Sequence, residues 1–326
     1  MGELPLYKIN PPFWQINGFI QTVAPTLTQR KPQITYIRER ISTPDDDFLD
    51  LDWLLQTDKE KLVILSHGLE GNSNKVYITN AAKYFQDNQY NVLAWNNRGC
   101  SGEENKTLKL NHHGETDDIH LIVNHAIRKY GFRKVYLMGY SLGGSITLNY
   151  VARKADILPK EILGAVAIST PCDLRSASQS LDERKNWFFK DLFFKKISKR
   201  VIGKELQFPN TFDVDKLKKV KSWKDFDNEF SAKLCGFKHA DDFYDNVSSL
   251  PHLPKIKVNT LILNAINDPI LTEKCHPKEM VKSNKHLKLI LTDHGGHVGF
   301  LERNHQHSFM ERAALQFFED NYDSHI

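Results

Sequence analysis

The sequence predicts an α/β protein: a mostly parallel, eight-stranded sheet with helices on both faces and a helical cap inserted late in the chain. Three observations carry that expectation. Continuous apolar runs recur along the chain, as strands covered on both faces require. Stretches of helical periodicity separate them, so successive strands join by crossovers. The alternation then lapses between about Cys172 and Leu250, where helical periodicity continues without a buried strand.

The elements follow in order. The first thirty residues are Pro-rich and irregular, with a short helix expected at 17–23. Residues 34–40 and 48–53 are rich in β-branched and aromatic side chains and flank a Pro/Asp turn, so they read as an opening antiparallel hairpin. The apolar runs 62–65, 91–95, 135–138, 165–168 and 260–263 are the buried strands, and 287–291 is the last. Helices are expected at 76–86, 117–130, 145–155, 277–281 and 307–319. The chain thus divides into a first core part (1–171), a cap (172–250) and a second core part (251–326). The cap's centre, 185–196, is aromatic and basic. In a parallel fold it leaves and rejoins the sheet at the strands' carboxyl ends, where ligands bind. Two readings of it stay open: a helix packing aromatics over a pocket, or an amphipathic surface that meets a lipid interface.

Composition narrows the function classes. With 326 residues, 40% of them hydrophobic, the chain can bury a large single core. Forty-four basic residues against 40 acidic leave a net charge of +4, too slight and too evenly spread to name nucleic acid as a partner. Cys100, Cys172, Cys235 and Cys275 lie far apart with no C-x-x-C pair, which points away from a zinc site or a disulfide framework. The N-terminus has no basic region followed by an apolar stretch, Gly2 lacks the myristoylation pattern, and no later run reaches about 18 uncharged apolar residues. A cytoplasmic protein is expected.

Chemistry enters at Gly139-Tyr140-Ser141-Leu142-Gly143, a G-x-S-x-G pattern between an expected strand and an expected helix. A serine on so tight a turn needs glycines two residues either side, where side chains would collide. The helix start beneath Ser141 offers amides to a developing negative charge. An oxyanion hole takes a second donor from the loop after an earlier strand, here Ser66-His67-Gly68-Leu69-Glu70-Gly71, so the amides of Leu69 and Leu142 are the expected pair. The His67 side chain is read as a brace for that loop.

Serine also needs a base held in one tautomer by a carboxylate. Two late loops supply candidates on the same side of the sheet: Asn267-Asp268-Pro269, and Asp293-His294-Gly295-Gly296-His297. Asp268 is favoured over Asp293, which shares the histidine's own loop. His297 is favoured over His294, because the two glycines let the loop present it inward. The order Ser, Asp, His matches one of the known triad arrangements. Other signals are set aside. His112, His113, Glu115, Asp117 and Asp118 read as a helix start capped by Thr116 rather than a metal site. Asn96 to Gly102 reads as a tight turn. No phosphate-binding or dinucleotide fingerprint is present, and no cofactor is required.

With these motifs in place the sequence resembles the YheT branch of the α/β-hydrolases, bacterial relatives of the ABHD lipases and esterases. The resemblance covers nearly the whole chain. It rests on His67-Gly68-Leu69-Glu70-Gly71, Asn97-Arg98-Gly99-Cys100-Ser101-Gly102-Glu103, Gly139-Tyr140-Ser141-Leu142-Gly143-Gly144 and Gly295-Gly296-His297-Val298-Gly299-Phe300. Asn267-Asp268-Pro269 and, in the cap, Asp225-Phe226-Asp227, Gly236-Phe237 and Asp242-Phe243-Tyr244 add to it. It implies the α/β-hydrolase fold and carboxylic ester hydrolysis, with Ser141, Asp268 and His297 at the triad positions and a small ester or lipid-like molecule as substrate. Two departures stand out: Phe19-Ile20-Gln21-Thr22 where the branch tends to read His-Leu-Gln-Thr, and Asp227-Asn228 where a second acid is common. Acyl transfer or thioester cleavage would use the same residues, and a scaffold that binds a ligand without turnover is the rival from outside enzymology.

Overall fold

The computed structural model describes residues 6–58 and 60–323; the segment 1–5, read above for targeting signals, lies outside the described residues. Among the described residues nine strands form one sheet: β1 (Leu6–Tyr7), β2 (Ile37–Ser42), β3 (Phe48–Leu54), β4 (Lys61–Ser66), β5 (Asn91–Trp95), β6 (Lys134–Tyr140), β7 (Ile162–Ile168), β8 (Thr260–Ala265) and β9 (Leu287–Thr292). Their order is β1-β9-β8-β7-β6-β4-β5-β3-β2. Strand β3 runs antiparallel to β2 and β5, and the remaining pairings are parallel. The sheet is therefore the expected one with one strand more. Leu6 and Tyr7 pair with Leu291 and Thr292, and a two-residue strand is too short to show periodicity in a sequence.

Strand β3 is buried throughout although it carries Asp50 and Asp52. The hairpin register explains this. Arg40 lies opposite Asp50 and Arg38 opposite Asp52, and each guanidinium grips its carboxylate through two contacts of 2.8 Å, the strong bidentate geometry.

Helices α1 (Gly18–Thr28), α2 (Val76–Asp87), α3 (Asp117–Tyr130) and α4 (Leu142–Arg153) belong to the first half of the chain, and α10 (Lys278–Ser283) and α11 (Phe309–Asp323) to its end. Between β7 and β8 come α5 (Leu174–Asp182), α6 (Trp187–Gln207), α7 (Trp223–Phe226), α8 (Ala232–Leu234) and α9 (Ala240–Val247), with no strand among them. Strand residues alternate between two cores, because successive side chains leave opposite faces of a sheet. Leu62 and Ile64 join Ile119, Ile122 and Ile146 of α3 and α4, whereas Val63 and Leu65 join Ala81, Phe85 and Phe318 of α2 and α11.

Three helices begin or end three or more residues from where they are expected, α11 by ending at Asp323 and not at 319. Helix α4 starts at Leu142, directly after Ser141, and α1 runs on through Pro25 to Thr28. A proline reads as a stop, yet here it removes only its own bond to the carbonyl of Gln21. No helix among the described residues is long and apolar enough to cross a membrane. The four cysteines are free thiols.

Candidate active site

Strand β6 ends at Tyr140 and α4 begins at Leu142, so the whole reversal falls on Ser141, at φ 54° and ψ −118°. That conformation is strained for a residue with a Cβ. The packing leaves no room for side chains beside it: a Cβ on Gly139 would lie 2.1 Å from the carbonyl oxygen of Gly143, and one on Gly143 2.2 Å from that of Ser66. The Ser141 amide donates to Ile168 O at 2.9 Å, which ties the turn to β7.

The three residues expected to act together meet. His297 Nε2 lies 2.9 Å from Ser141 Oγ, and His297 Nδ1 lies 2.8 Å from Asp268 Oδ2. With Nδ1–H donating to the carboxylate, Nε2 is left as an acceptor for the serine hydroxyl. The other Asp268 oxygen accepts from the amides of Ile270 at 2.8 Å and Leu271 at 3.2 Å, so both lone-pair directions are held. The rival candidates are engaged elsewhere. Asp293 Oδ1 accepts from the Ile9 amide at 3.1 Å, and His294 Nδ1 lies 3.4 Å from the side-chain nitrogens of Gln21 and Asn267.

The histidine loop is held by α1, which carries residues that sequence reading did not single out. Gln21 Oε1 accepts from the Gly295 amide and from Asn267 Nδ2, at 2.8 and 2.9 Å. Thr22 Oγ1 accepts from the amide of His297 itself at 2.8 Å, and Asn267 Oδ1 from the Gly296 amide at 3.0 Å. Ser169 Oγ takes the next amide, Val298, at 2.9 Å. The approach is close enough that a Cβ on Gly296, at φ 57°, would sit 2.6 Å from Gly18 O. Gln21 and Thr22 both lie in the segment Phe19-Ile20-Gln21-Thr22, where the branch that the sequence resembles tends to read His-Leu-Gln-Thr, and nothing in that segment pointed to the loop they hold. The departure at its start has a partner too, since the Phe19 ring packs on Phe188 and Phe189 of α6, with centroids 5.5 and 5.1 Å apart.

On the other side of Ser141 lies the loop after β4. A Cβ on Gly68 would be 3.3 Å from that of Ser141, and Leu69 lines the same cleft as the serine. Leu142 is the first residue of α4, where an amide has no helical acceptor. His67 braces this loop: its Nε2 accepts from the Asn97 amide at 3.1 Å, and its Nδ1–H donates to Gly68 O at 2.7 Å. Burial pulls its pKa down to about 4, which keeps the ring neutral. Tyr77 Oη accepts from the Gly68 amide at 3.0 Å.

Glu70, next in the loop, has φ 50°. Its carboxylate is met by Arg200 of α6 at 3.0 Å, and the same guanidinium reaches Glu104 and the carbonyl of Gly99. Arg200 thus ties α6 to two of the loops that carry the family resemblance.

The polar cluster set aside earlier is occupied by structure. Asp118 pairs with buried Arg98, which also reaches Asp45 and Asp47. Glu115 pairs with Lys109 at 2.9 Å, and His113 Nδ1 lies 3.1 Å from Ser145 Oγ. One detail is corrected: Thr116 makes no capping bond, and Glu115 Oε1 accepts the Asp117 amide instead. The longer glutamate reaches the helix start while its second oxygen keeps the lysine.

Ser141 and His297 open into a cleft of about 590 Å³, roofed by Phe188, Phe189, Leu192, Phe193 and Lys196 of α6. The aromatic and basic stretch therefore covers the pocket. It also shows some apolar surface to solvent, Trp187 being 66% exposed.

Comparison with known proteins agrees with this architecture. A phospholipase of Homo sapiens, ABHD3, is 28% identical over 320 residues, spanning 95% of this chain and 78% of that protein. The putative esterase YheT of Escherichia coli is 30% identical over 290 residues, 87% of this chain and 84% of its own. Among solved structures, an esterase of Pyrococcus furiosus superposes with a TM-score of 0.60 at 17% identity, over 98% of this chain and all of that one, a likeness of fold. Residues 61–304, from β4 through the histidine loop, match the family described as alpha/beta hydrolase fold, and with YheT at 30% identity over most of both chains this protein belongs to that family, in its YheT-like branch.

Proposed function

We propose that the protein is a serine hydrolase that cleaves carboxylic esters through an acyl-enzyme. The observation that carries this reading is the unbroken chain Ser141 Oγ, His297 Nε2, His297 Nδ1, Asp268 Oδ2, with links of 2.9 and 2.8 Å. In the proposed mechanism Ser141 Oγ bonds to the ester carbonyl carbon as its proton passes to His297 Nε2. The Leu69 and Leu142 amides hold the resulting oxyanion, each worth roughly 10²–10³ in rate if well placed. Collapse breaks the bond to the alcohol oxygen, which takes the proton from His297. A water molecule then repeats the sequence on the acyl-enzyme, releases the acid and restores Ser141. Asp268 fixes the histidine tautomer and stabilises its cationic form.

The printed names of the relatives, a phospholipase and a putative esterase, support an ester substrate. In this reading residues 172–250 form the cap that shapes the pocket, and the setting is cytoplasmic, in keeping with four free thiols. Lipid-like esters suit the cleft, whose walls are largely apolar. The test is labelling with a fluorophosphonate probe. One adduct is expected, on the peptide containing Ser141, and none in the Ser141→Ala protein. A wild-type chain that stays unlabelled would overturn the proposal in favour of a ligand-binding scaffold.

A further inference from the structure

The residues that line the cleft include no aspartate or glutamate, and their formally charged groups are two ammoniums, Lys75 and Lys196. Lys196 holds an unusual position. Phe189, Leu192, Phe193 and Lys196 fall at i, i+3, i+4 and i+7 of α6, and all four face the cleft. That is the stripe a helix turns toward its core, where an apolar residue is the ordinary occupant. A half-buried ammonium there is costly unless something neutralises it.

Among the described residues no ion pair does so, although the Glu70 carboxylate acts on it from farther off. Neither Lys75 nor Lys196 has a carboxylate within ion-pair distance among the described residues. The acid that acts on Lys196, Glu70, is itself paired with Arg200 at 3.0 Å. Burial and the neighbouring Lys75 together hold the Lys196 ammonium below its usual pKa, so the two cations feel each other. Lys75 directly precedes α2, and Asn74, Lys75, Val76 and Tyr77 all line the same wall. The positive end of a twelve-residue helix therefore adds to the field.

We infer that Lys75 and Lys196 form an anion subsite inside the cleft that holds Ser141, and that the preferred ester is an amphiphile carrying an oxyanion, phosphate or carboxylate, beside its acyl chain. This rests on the ester-hydrolase reading above. The aromatic roof takes the chain, the ammoniums take the anion, and the scissile carbonyl is set between them at Ser141. A neutral ester gains the apolar contacts alone.

The experiment compares esters with one acyl chain and three head groups: a monoacylglycerol, its phosphate-bearing counterpart, and a carboxylate-bearing hemisuccinate of the same monoacylglycerol. The readout is the ratio of kcat/KM for each anionic ester to that for the neutral one. The wild type should favour an anionic ester, and the better of the two tells phosphate from carboxylate. Lys196→Met and Lys75→Met should each lower the ratio about tenfold, the worth of one charged contact. Lys196→Arg should restore most of it, and Lys196→Glu should reverse the preference. Added salt should depress turnover of the anionic ester more than that of the neutral one, a wild-type measurement that needs no variant to fold. Equal turnover of all three esters by the wild type, or a ratio unmoved by Lys196→Glu in a folded protein, overturns the subsite and leaves the hydrolase reading standing. Absence of turnover on every ester together with an unlabelled Ser141 would instead overturn the hydrolase reading itself.

Discussion

At Asp268 the choice between two nearby acids turns on where each carboxylate finds its donors. Asp268 receives His297 Nδ1–H on one oxygen and two backbone amides on the other, with its side chain 1% exposed. Asp293 spends its oxygen on the amide of Ile9, next to the edge strand. Replacing Asp268 by Asn keeps the shape but presents an amide N–H toward the histidine, which favours the wrong tautomer. Turnover of a p-nitrophenyl ester should fall about 10³- to 10⁴-fold. Asp293→Asn keeps an oxygen for the Ile9 amide, and turnover should stay within about threefold, as for an ordinary conservative surface change. Equal losses from the two variants would show that the carboxylate in contact with His297 is not the one the chemistry uses. The meeting of Ser141, His297 and Asp268 was legible because each sits in a loop right after an apolar run, so their order and side of the sheet follow from the strands. Gln21 and Thr22 were not legible. They lie about 270 residues from the loop they hold, and no local pattern distinguishes a buried glutamine that receives a distant amide from one facing water.

Among the elements, α6 does the most beyond the sheet. One side of it roofs the cleft, and Arg200, one turn past Lys196, grips Glu70 beside Leu69. Sequence reading left open whether the aromatic run covers a pocket or meets lipid, because both need rings and lysines on one helix. Position answers the first, since Phe188, Phe189 and Phe193 line the cleft. Exposure bears on the second: Leu27 is 77% and Trp187 66% exposed, with Phe19 and Leu192 at 39% and 38%. Leu27 and Leu192 border the cleft, and Phe19 and Trp187 pack on Phe188, so these side chains form an apolar rim around its mouth. Transfer of such a rim into lipid is worth about 25 cal/mol per Å² of apolar surface removed from water. Activity on a sparingly soluble ester should therefore rise as the ester passes its solubility limit and forms an interface. A Trp187→Ser variant should lose much of that rise while its rate on a soluble short-chain ester changes little, since Trp187 lies outside the cleft lining. Smooth saturation of the wild type through the solubility limit would identify an enzyme of dissolved esters.

For the molecule as a whole, the positions of eight strands, their mostly parallel sense and the two covered faces followed from the alternation of apolar runs and helices, while the order of strands and the outermost strand did not, being defined by neighbours and not by a strand's own residues. The polar interior was likewise hidden in the sequence, and it sets how stability responds to acid. His67 is buried and His112 and His113 are half-buried, and desolvation draws their pKa values from 6.5 down to about 4, 4 and 3. Between pH 6.5 and 4 the unfolded chain binds protons at these three positions that the native rings refuse, so stability is lost as the pH falls through that window. Each group contributes about 1.4 kcal/mol per pH unit once well below its unfolded value. Asp227 acts in the opposite sense. Burial raises its pKa from 3.8 to about 6, with Tyr244 Oη donating to Oδ2 at 2.6 Å. From pH 6 down to 4 the native state holds a proton there that the unfolded state lacks, which offsets about one of the three histidines. The three histidines outweigh the one aspartate, so these four groups together predict a net loss of stability from pH 6 to 4, measured as a decline in the urea midpoint at nearly constant slope. Asp227→Asn removes the offset and relieves the neutral-pH penalty, so this variant should be more stable than the parent at pH 7.5 and lose stability more steeply on acidification. A urea midpoint that stays level from pH 7 to pH 4.5 in the parent protein would mean that the imidazoles accept protons in the native state, contrary to the neutral ring of His67 that braces the loop after β4 and to the neutral rings of His112 and His113.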